Sequence, residues 1–225
     1  MTGAQRTDPR PSGRQRTGAW LPTLRLVRLY AVGRRVPWAL LATVVCAIGL
    51  RLTLLGHWDA YGALQLPLIF EAAVAVSIAA TVAGPFGEPE RVTGRWLPFL
   101  RPAVTVALTA AAVGLLAAAG TGGHLTGGTL DVLRNVAGFT GIGLLCAAAI
   151  DGALSWTGPT AYLVAAVYAL YTQWHPPALT TPWLWPARPP HDLGAALCAA
   201  LVFACGLAAI TPRGARDRPG SPAAT

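Results

Sequence analysis

Long apolar stretches alternate with short polar ones along most of this chain. Six of these stretches hold few charges, and short segments rich in Gly, Pro, Arg or Glu separate them. Runs of about 18 or more apolar residues are typical of membrane-spanning helices. The pattern therefore predicts an all-α, polytopic integral membrane protein with about six transmembrane helices. The predicted spans are 36–55, 63–83, 102–120, 132–154, 159–174 and 193–210.

The fifth predicted span is the shortest. Its sixteen residues, 159–174, would rise about 24 Å as a helix, whereas the bilayer core is about 30 Å thick. The helix either begins nearer Ser155 or stops short of a full crossing, and the sequence leaves both alternatives open.

The two ends of the chain differ from its middle. Residues 1–19 are polar and rich in Arg, Pro and Gly, which predicts a disordered basic tail. Residues 212–225 have the same character and predict a disordered cytoplasmic tail. The membrane domain is expected to occupy 20–211.

A mixed segment, 20–35, precedes the first span. At 100° per residue, Arg25 and Arg28 fall on one side of a helix, while Leu26 and Leu29 fall on the other. This arrangement predicts an N-terminal amphipathic helix that lies along the membrane surface, with its arginines toward lipid phosphates.

Charge predicts how the chain crosses the membrane. All 17 basic residues are Arg, and with the N-terminus inside the cell 14 of them fall on the inner side and 3 on the outer side. Because positive charge stays in the cytoplasm, we expect a multi-pass protein of the cell (plasma) membrane with both termini cytoplasmic. The net charge of +8 follows from this topology, and no nucleic-acid partner is predicted.

One charged island, GEPERVTGRWLPFLR at 87–101, lies between the second and third spans. A cytoplasmic loop carries charge simply because water surrounds it. However, Glu88 and Glu90 follow Pro85 and flank Pro89, and such acidic openings suit the first turn of a short helix. A handle for a soluble partner and an ordinary hydrated loop both remain open.

Two acidic residues are candidates for an intramembrane polar site or substrate pathway, Glu71 and Asp151. Glu71 falls near the middle of the second span, where an ionisable group is costly and by default a functional hypothesis. It is expected to face the bundle interior, and a structural hydrogen bond is the alternative. Asp151 falls near the inner end of the fourth span, where an interfacial role is favoured. Arg134, with Asp131, is also predicted to be interfacial.

Catalytic and metal sites are not predicted. A GxxxxGK[ST] ATP-binding loop is impossible in a chain without Lys. The four cysteines lie in apolar runs without CxxC spacing, and the four histidines are scattered among predicted outer loops. We therefore expect no enzymatic activity, no metal and no cofactor of its own.

Two further segments predict packing. GFTGIG at 138–143 supplies small residues, which let helices approach closely in lipid. The segment 175–191 contains six Pro and two Trp, so it predicts an ordered outer cap or a shallow re-entrant loop.

With these features, the chain resembles the membrane subunits of ATP-binding-cassette exporters of the six-helix permease type. The resemblance rests on the Arg-bearing segment 20–35, the charged loop 87–96, the six spans and the Pro/Trp-rich segment between spans five and six. In that family the surface helix and the loop contact a separate ATPase subunit. By position, the resemblance implies ATPase-coupling roles for Glu88, Glu90, Arg91, Gly94, Arg25 and Arg28.

The resemblance also implies partners and a mechanism. Two permeases, either copies or related chains, would work with two cytoplasmic ATPase subunits that bind ATP, and a hydrophobic or amphipathic substrate would pass between the permeases. Two alternatives remain: an ATP-independent secondary transporter that uses Glu71, and a non-transporting membrane scaffold or immunity protein. The absence of an inverted repeat between 36–120 and 132–210 disfavours the secondary transporter.

Overall fold

The computed structural model describes residues 32–56, 60–83, 97–121, 127–171 and 182–213. These ranges contain six α-helices and two short 3-10 helices, at Gly152–Leu154 and Trp185–Ala187, and no β-strand. The α-helices are α1 (Val36–Leu54), α2 (Ala60–Ala80), α3 (Leu97–Gly120), α4 (Gly128–Ala149), α5 (Thr157–Tyr171) and α6 (Leu193–Arg213).

Four of these helices, α1, α3, α4 and α6, are long and apolar enough to cross a membrane. This confirms the predicted all-α class and a composition that suits a membrane protein. Helix α2 is not among these four, because its apolar stretch, Gln65–Ala80, is shorter. Helix α5 has 15 residues and begins at Thr157, midway between the two starts predicted for it, and it rises about 22 Å.

A sharp turn separates α1 from what precedes it. The backbone at Val32 and Gly33 is helical, and Arg35 then adopts the left-handed conformation with φ 57° and ψ 21°. Pro37 occupies the first turn of α1, where a missing backbone N–H removes no helical hydrogen bond. The rest of the predicted surface helix, including Arg25 and Arg28, lies outside the described residues.

Helix α3 begins at Leu97, five residues before the start predicted at 102. Pro102 lies inside the helix near its start, where its ring removes a single backbone hydrogen bond. The predicted start was therefore wrong, and the last residues of the charged island belong to α3. The other predicted coupling residues lie outside the described part of the chain: Glu88, Glu90, Arg91 and Gly94.

Helix α4 is shifted toward the N-terminus relative to the prediction of 132–154. It ends at Ala149, and Asp151 follows it as the N-cap of the 3-10 helix Gly152–Leu154. The Asp151 Oδ1 atom accepts a hydrogen bond of 3.1 Å from the backbone N–H of Ala153. Helix α6 runs to Arg213, slightly beyond the expected end of the membrane domain at 211.

The centre of the bundle is α4. In its candidate span 61% of the residues are buried, compared with 22% in those of α1 and α6. Glycines allow this close packing, because a Cβ atom on Gly141 would lie 2.6 Å from Cα of Phe203 in α6, and one on Gly206 would lie 2.8 Å from the carbonyl oxygen of Gly141. The packing role predicted for GFTGIG is thereby confirmed.

Several helix ends meet at one end of the bundle. Arg34, just before α1, donates through Nη1 to the carbonyl oxygen of Val82, just after α2, at 2.9 Å. Val82 in turn belongs to a buried cluster with Leu144, Ala147 and Ile210. The start of α1 and the ends of α2, α4 and α6 therefore lie together.

At the opposite end of the bundle, a different set of helix ends comes together. Arg51, in the last turn of α1, donates through Nη1 to the carbonyl oxygen of Ala119 in α3 at 3.3 Å. Arg134, in the second turn of α4, reaches the carbonyl oxygen of Pro189 just before α6 at 2.9 Å. The ends of α1 and α3 thus lie together, and the starts of α4 and α6 likewise.

Candidate functional site

Glu71 is buried in the interior of the bundle. It lies on α2, one turn after Pro67, and only 3% of the residue is exposed. The Asn135 side chain on α4 donates from Nδ2 to Oε2 of Glu71 at 2.9 Å. A carboxyl group away from water needs such a partner, so this hydrogen bond joins α2 to α4. The interior position of Glu71 is as predicted, and its functional role stays a prediction.

Beside this pair, Arg134 is also buried, with 4% of the residue exposed. Its Nη2 atom forms an ion pair with Asp131, one turn earlier on α4. The same guanidinium donates to the carbonyl oxygens of Pro189, at 2.9 Å, and Arg188, at 3.2 Å. Arg134 is buried because a neighbouring segment covers this side chain, and its predicted position at the membrane interface stays a prediction.

That segment, residues 182–192, is named the cap segment here. It contains the 3-10 helix Trp185–Ala187, all three residues of which are buried. The Trp185 indole lies against Gly138 of α4, since a Cβ atom on Gly138 would be 2.5 Å from Cζ2 of the ring. The described residues of 175–191 thus pack on α4, and whether they form an outer cap or a shallow re-entrant loop stays a prediction.

Aromatic contacts hold the cap segment to α5. The ring of Tyr162 lies 4.5 Å from that of Trp185 and 5.5 Å from that of Phe139, centroid to centroid. The Tyr162 hydroxyl donates to the carbonyl oxygen of Trp183 at 2.6 Å. Such aromatic pairs contribute about 0.5–1.5 kcal/mol beyond their buried area, so α4, α5 and the cap segment form one packed unit.

The cap segment ends by capping α6. Asp192 Oδ1 accepts from the backbone N–H of Ala195 at 3.0 Å, and Arg188 Nε donates to Asp192 Oδ2 at 2.6 Å. This is the usual role of Asp at a helix N-terminus. The Ala195 N–H, together with the Arg188 guanidinium, lowers the pKa of Asp192 below its usual value.

Three buried polar atoms on α4 and on the cap segment against it have no hydrogen-bond partner within the described part of the chain. These are Nε of Arg134, Oδ1 of Asn135 and Nε1 of Trp185. The amide of Asn135 turns its NH₂ toward the Glu71 carboxyl group, so its oxygen faces away. Thr140 Oγ1 is also unpartnered, but it lies about 140° around α4 from Asn135.

The structure does not bring Asp151 to this site. Sixteen positions of chain separate Asp151 from Asn135, and α4 rises about 1.5 Å per residue between them. Asp151 lies at the other end of α4, where it caps a turn. The two acidic residues predicted for a substrate pathway are therefore at different depths, and Glu71 alone belongs to the buried polar site.

Asn135 is the site residue that the sequence analysis missed. A signal existed, because Asn135 follows Arg134 inside an otherwise apolar run, VLRNVAG. Polar side chains within membrane helices usually face other helices and bond across them. That rule would have identified Asn135, although not its partner 64 positions away.

The chemistry available at this site is that of binding. A carboxyl group and an amide are paired in an apolar interior, beside a paired Arg and Asp, and an indole lies against Gly138 on the same helix as the amide. In the described ranges no group of three or more His, Cys, Asp or Glu side chains could hold a metal ion. The cysteines are free thiols, three of them half-buried and Cys205 exposed.

Comparisons with known proteins give one partial similarity. A family model for the gill-associated viral 3C-like peptidase matches residues 109–217. The matched segment covers less than half of the chain, so it does not establish membership of that family. No curated protein and no solved structure matches the chain.

Proposed function

We propose that this chain is the permease subunit of an ATP-driven exporter and that it works with a separate cytoplasmic ATPase subunit. The cargo would be a hydrophobic or amphipathic molecule. In this proposal all six helices cross the plasma membrane, both termini are cytoplasmic, and the assembly pairs the chain with a copy of itself or a related permease.

The observation that carries this proposal is the hydrogen bond from Arg34 to the carbonyl oxygen of Val82 at 2.9 Å. Arg34 lies next to the end of the Arg-bearing segment 20–35. Val82 lies just before the residues that lead into the charged loop. The two segments proposed to contact the ATPase therefore start from one point of the bundle. The end of α6 belongs to the same region, because Ile210 and Val82 share a buried cluster.

The proposed mechanism uses this common point. Binding of ATP would close the ATPase pair, which would push on the loop 87–96 and the segment 20–35. Helix α4 would transmit the movement as part of a rigid body, since it packs closely on α6 through Gly141 and Gly206. The charges of Glu88, Glu90 and Arg91 would supply the contacts with the ATPase.

A charge-reversal experiment tests the coupling role of the loop. Exchanging the charges of Glu90 and Arg91 should abolish co-purification of the ATPase while membrane insertion of the chain stays normal. The matched control exchanges Arg216 and Asp217, an adjacent pair of opposite charges in the C-terminal tail, and should leave the ATPase bound. Normal ATPase binding by the Glu90/Arg91 variant would disprove the coupling assignment.

One observation favours a second candidate, an ATP-independent secondary transporter that uses Glu71. A buried carboxyl group with an amide partner inside a helical bundle suits proton coupling. Reconstituted alone in vesicles, such a transporter would move its substrate with a proton gradient and no ATPase. The exporter proposal predicts that the chain alone is inactive under a proton gradient.

A further inference from the structure

Two of the unpartnered atoms, on Trp185 and Asn135, are chemically complementary. Trp185 Nε1 carries a hydrogen-bond donor and Asn135 Oδ1 is an acceptor, and neither has a partner within the described ranges. Both residues are almost completely buried, with 2% of Trp185 and 4% of Asn135 exposed. Leaving such buried groups without a hydrogen-bond partner is unfavourable, so a missing partner is the natural explanation.

The two atoms also share one region of α4. The indole lies on Gly138, where a Cβ atom would be 3.0 Å from Trp185 Nε1. Asn135 precedes Gly138 by three positions, and residues with this spacing are neighbours on a helix, about 5–6 Å apart at Cβ. The donor and the acceptor therefore both belong to the part of α4 between positions 135 and 138.

We propose that a hydroxyl group binds between the indole N–H of Trp185 and the amide oxygen of Asn135, beneath the cap segment and next to Glu71. A hydroxyl accepts a hydrogen bond from the indole and donates one to the amide oxygen, so both orphan groups become satisfied. Water and the head group of an amphipathic alcohol offer the same chemistry. This inference does not depend on the transport proposal.

The test uses the full chain in lipid nanodiscs, with ¹⁵N in the indole rings of its eight Trp residues. The Trp185→Phe variant identifies the Trp185 signal by its loss. In the unsubstituted protein, the Trp185 N–H should give a magnetisation-transfer peak to water, and Asn135→Leu should remove that peak. The control Ser77→Ala should leave it unchanged, because the Ser77 hydroxyl already donates to the carbonyl oxygen of Val74.

A second arm distinguishes the two sources of the hydroxyl. Adding 1-decanol to the nanodiscs, with decane as the control, should displace the water peak and shift the Trp185 signal if the site takes an alcohol head group. A peak that survives decanol assigns the site to water.

Two results would overturn the proposal. One is a Trp185 N–H that gives no peak to water in the unsubstituted protein and no shift with decanol. This result needs only the Trp185→Phe variant, which assigns the signal. The other is a water peak that persists in an Asn135→Leu protein that is folded, as shown by unchanged indole signals from its other Trp residues.

Discussion

The side-chain amide of Asn135 donates a hydrogen bond of 2.9 Å to the carboxyl group of Glu71. These residues lie on α4 and α2, and both are buried. This hydrogen bond offsets part of the cost of burying the Glu71 carboxyl group in an apolar interior, and it links α2 to α4. It also sets the depth of the polar site, since Asn135 directly follows Arg134, whose contacts hold the cap segment.

Removing one partner of this pair should cost more stability than removing both. Asn135→Leu leaves the Glu71 carboxyl group without its partner, so we expect a loss of about 1–2 kcal/mol in the free energy of unfolding. The double variant Glu71→Leu/Asn135→Leu should recover most of this loss, because two apolar side chains then face each other. Reversible unfolding in mixed micelles measures both values, and a double variant that loses the sum of the single effects would contradict the pairing.

The same geometry ranks two acidic residues by functional effect. If the exporter proposal holds, Glu71→Gln should lower ATP hydrolysis by the permease–ATPase complex by about 2- to 30-fold, the range expected for a residue that takes part in coupling. Asp151→Asn should leave it nearly unchanged, because the Asn side chain keeps an oxygen to accept from the Ala153 N–H. If both substitutions have equal and negligible effects on ATP hydrolysis, both residues have structural roles only.

Arg134 should control the order of the cap segment. The Arg134→Met variant removes the donors to the carbonyl oxygens of Arg188 and Pro189. Hydrogen exchange at the backbone N–H groups of Ala187 and Arg188 should then accelerate about tenfold for each 1.4 kcal/mol lost. These two groups bond within the cap segment, to the carbonyl oxygens of Leu184 and Trp185.

The control for this measurement is Arg51→Met. Arg51 also donates to backbone carbonyl oxygens, those of Ala119 and Thr121, but these belong to the end of α3. It should leave exchange at Ala187 and Arg188 unchanged. The anchoring role of Arg134 fails if both variants give the same exchange rates as the unsubstituted protein.

Close packing of α4 on α6 predicts a contrast between two glycines. Gly141→Ala would bring a Cβ atom to 2.6 Å from Cα of Phe203, so overpacking should lower the free energy of unfolding by about 1–3 kcal/mol. Gly114→Ala on α3 meets no atom within 4 Å and should raise stability by about 0.5–1 kcal/mol. Thermal unfolding of the two variants tests this, and equal melting temperatures would refute the contact.

Much of the fold follows from hydropathy alone. The predicted first span, 36–55, and sixth span, 193–210, agree with α1 and α6 to within three residues at each end, because charged or polar residues flank both runs. The start of α3 was missed because Pro102 resembles a helix start, whereas the helix tolerates it near its N-terminus. Whether all six segments cross the membrane stays a prediction, since four of the helices are long and apolar enough to do so.

The polar site was predictable only in part. The cost of burying a carboxyl group identified Glu71 from its position in an apolar run. Its partner Asn135 is 64 positions away, and nothing in one sequence reports a pairing at that distance. The burial of Arg134 was missed because the sequence does not reveal that the cap segment folds back over it.

Purification of the chain from its native membranes tests the central claim most directly. With a tag on the C-terminus and mild detergent extraction, the account predicts that mass spectrometry finds an ATPase subunit in amounts equal to the permease. The Glu90/Arg91 charge exchange should remove it from the sample. Recovery of the unsubstituted chain from those membranes without any ATPase would contradict the proposed function.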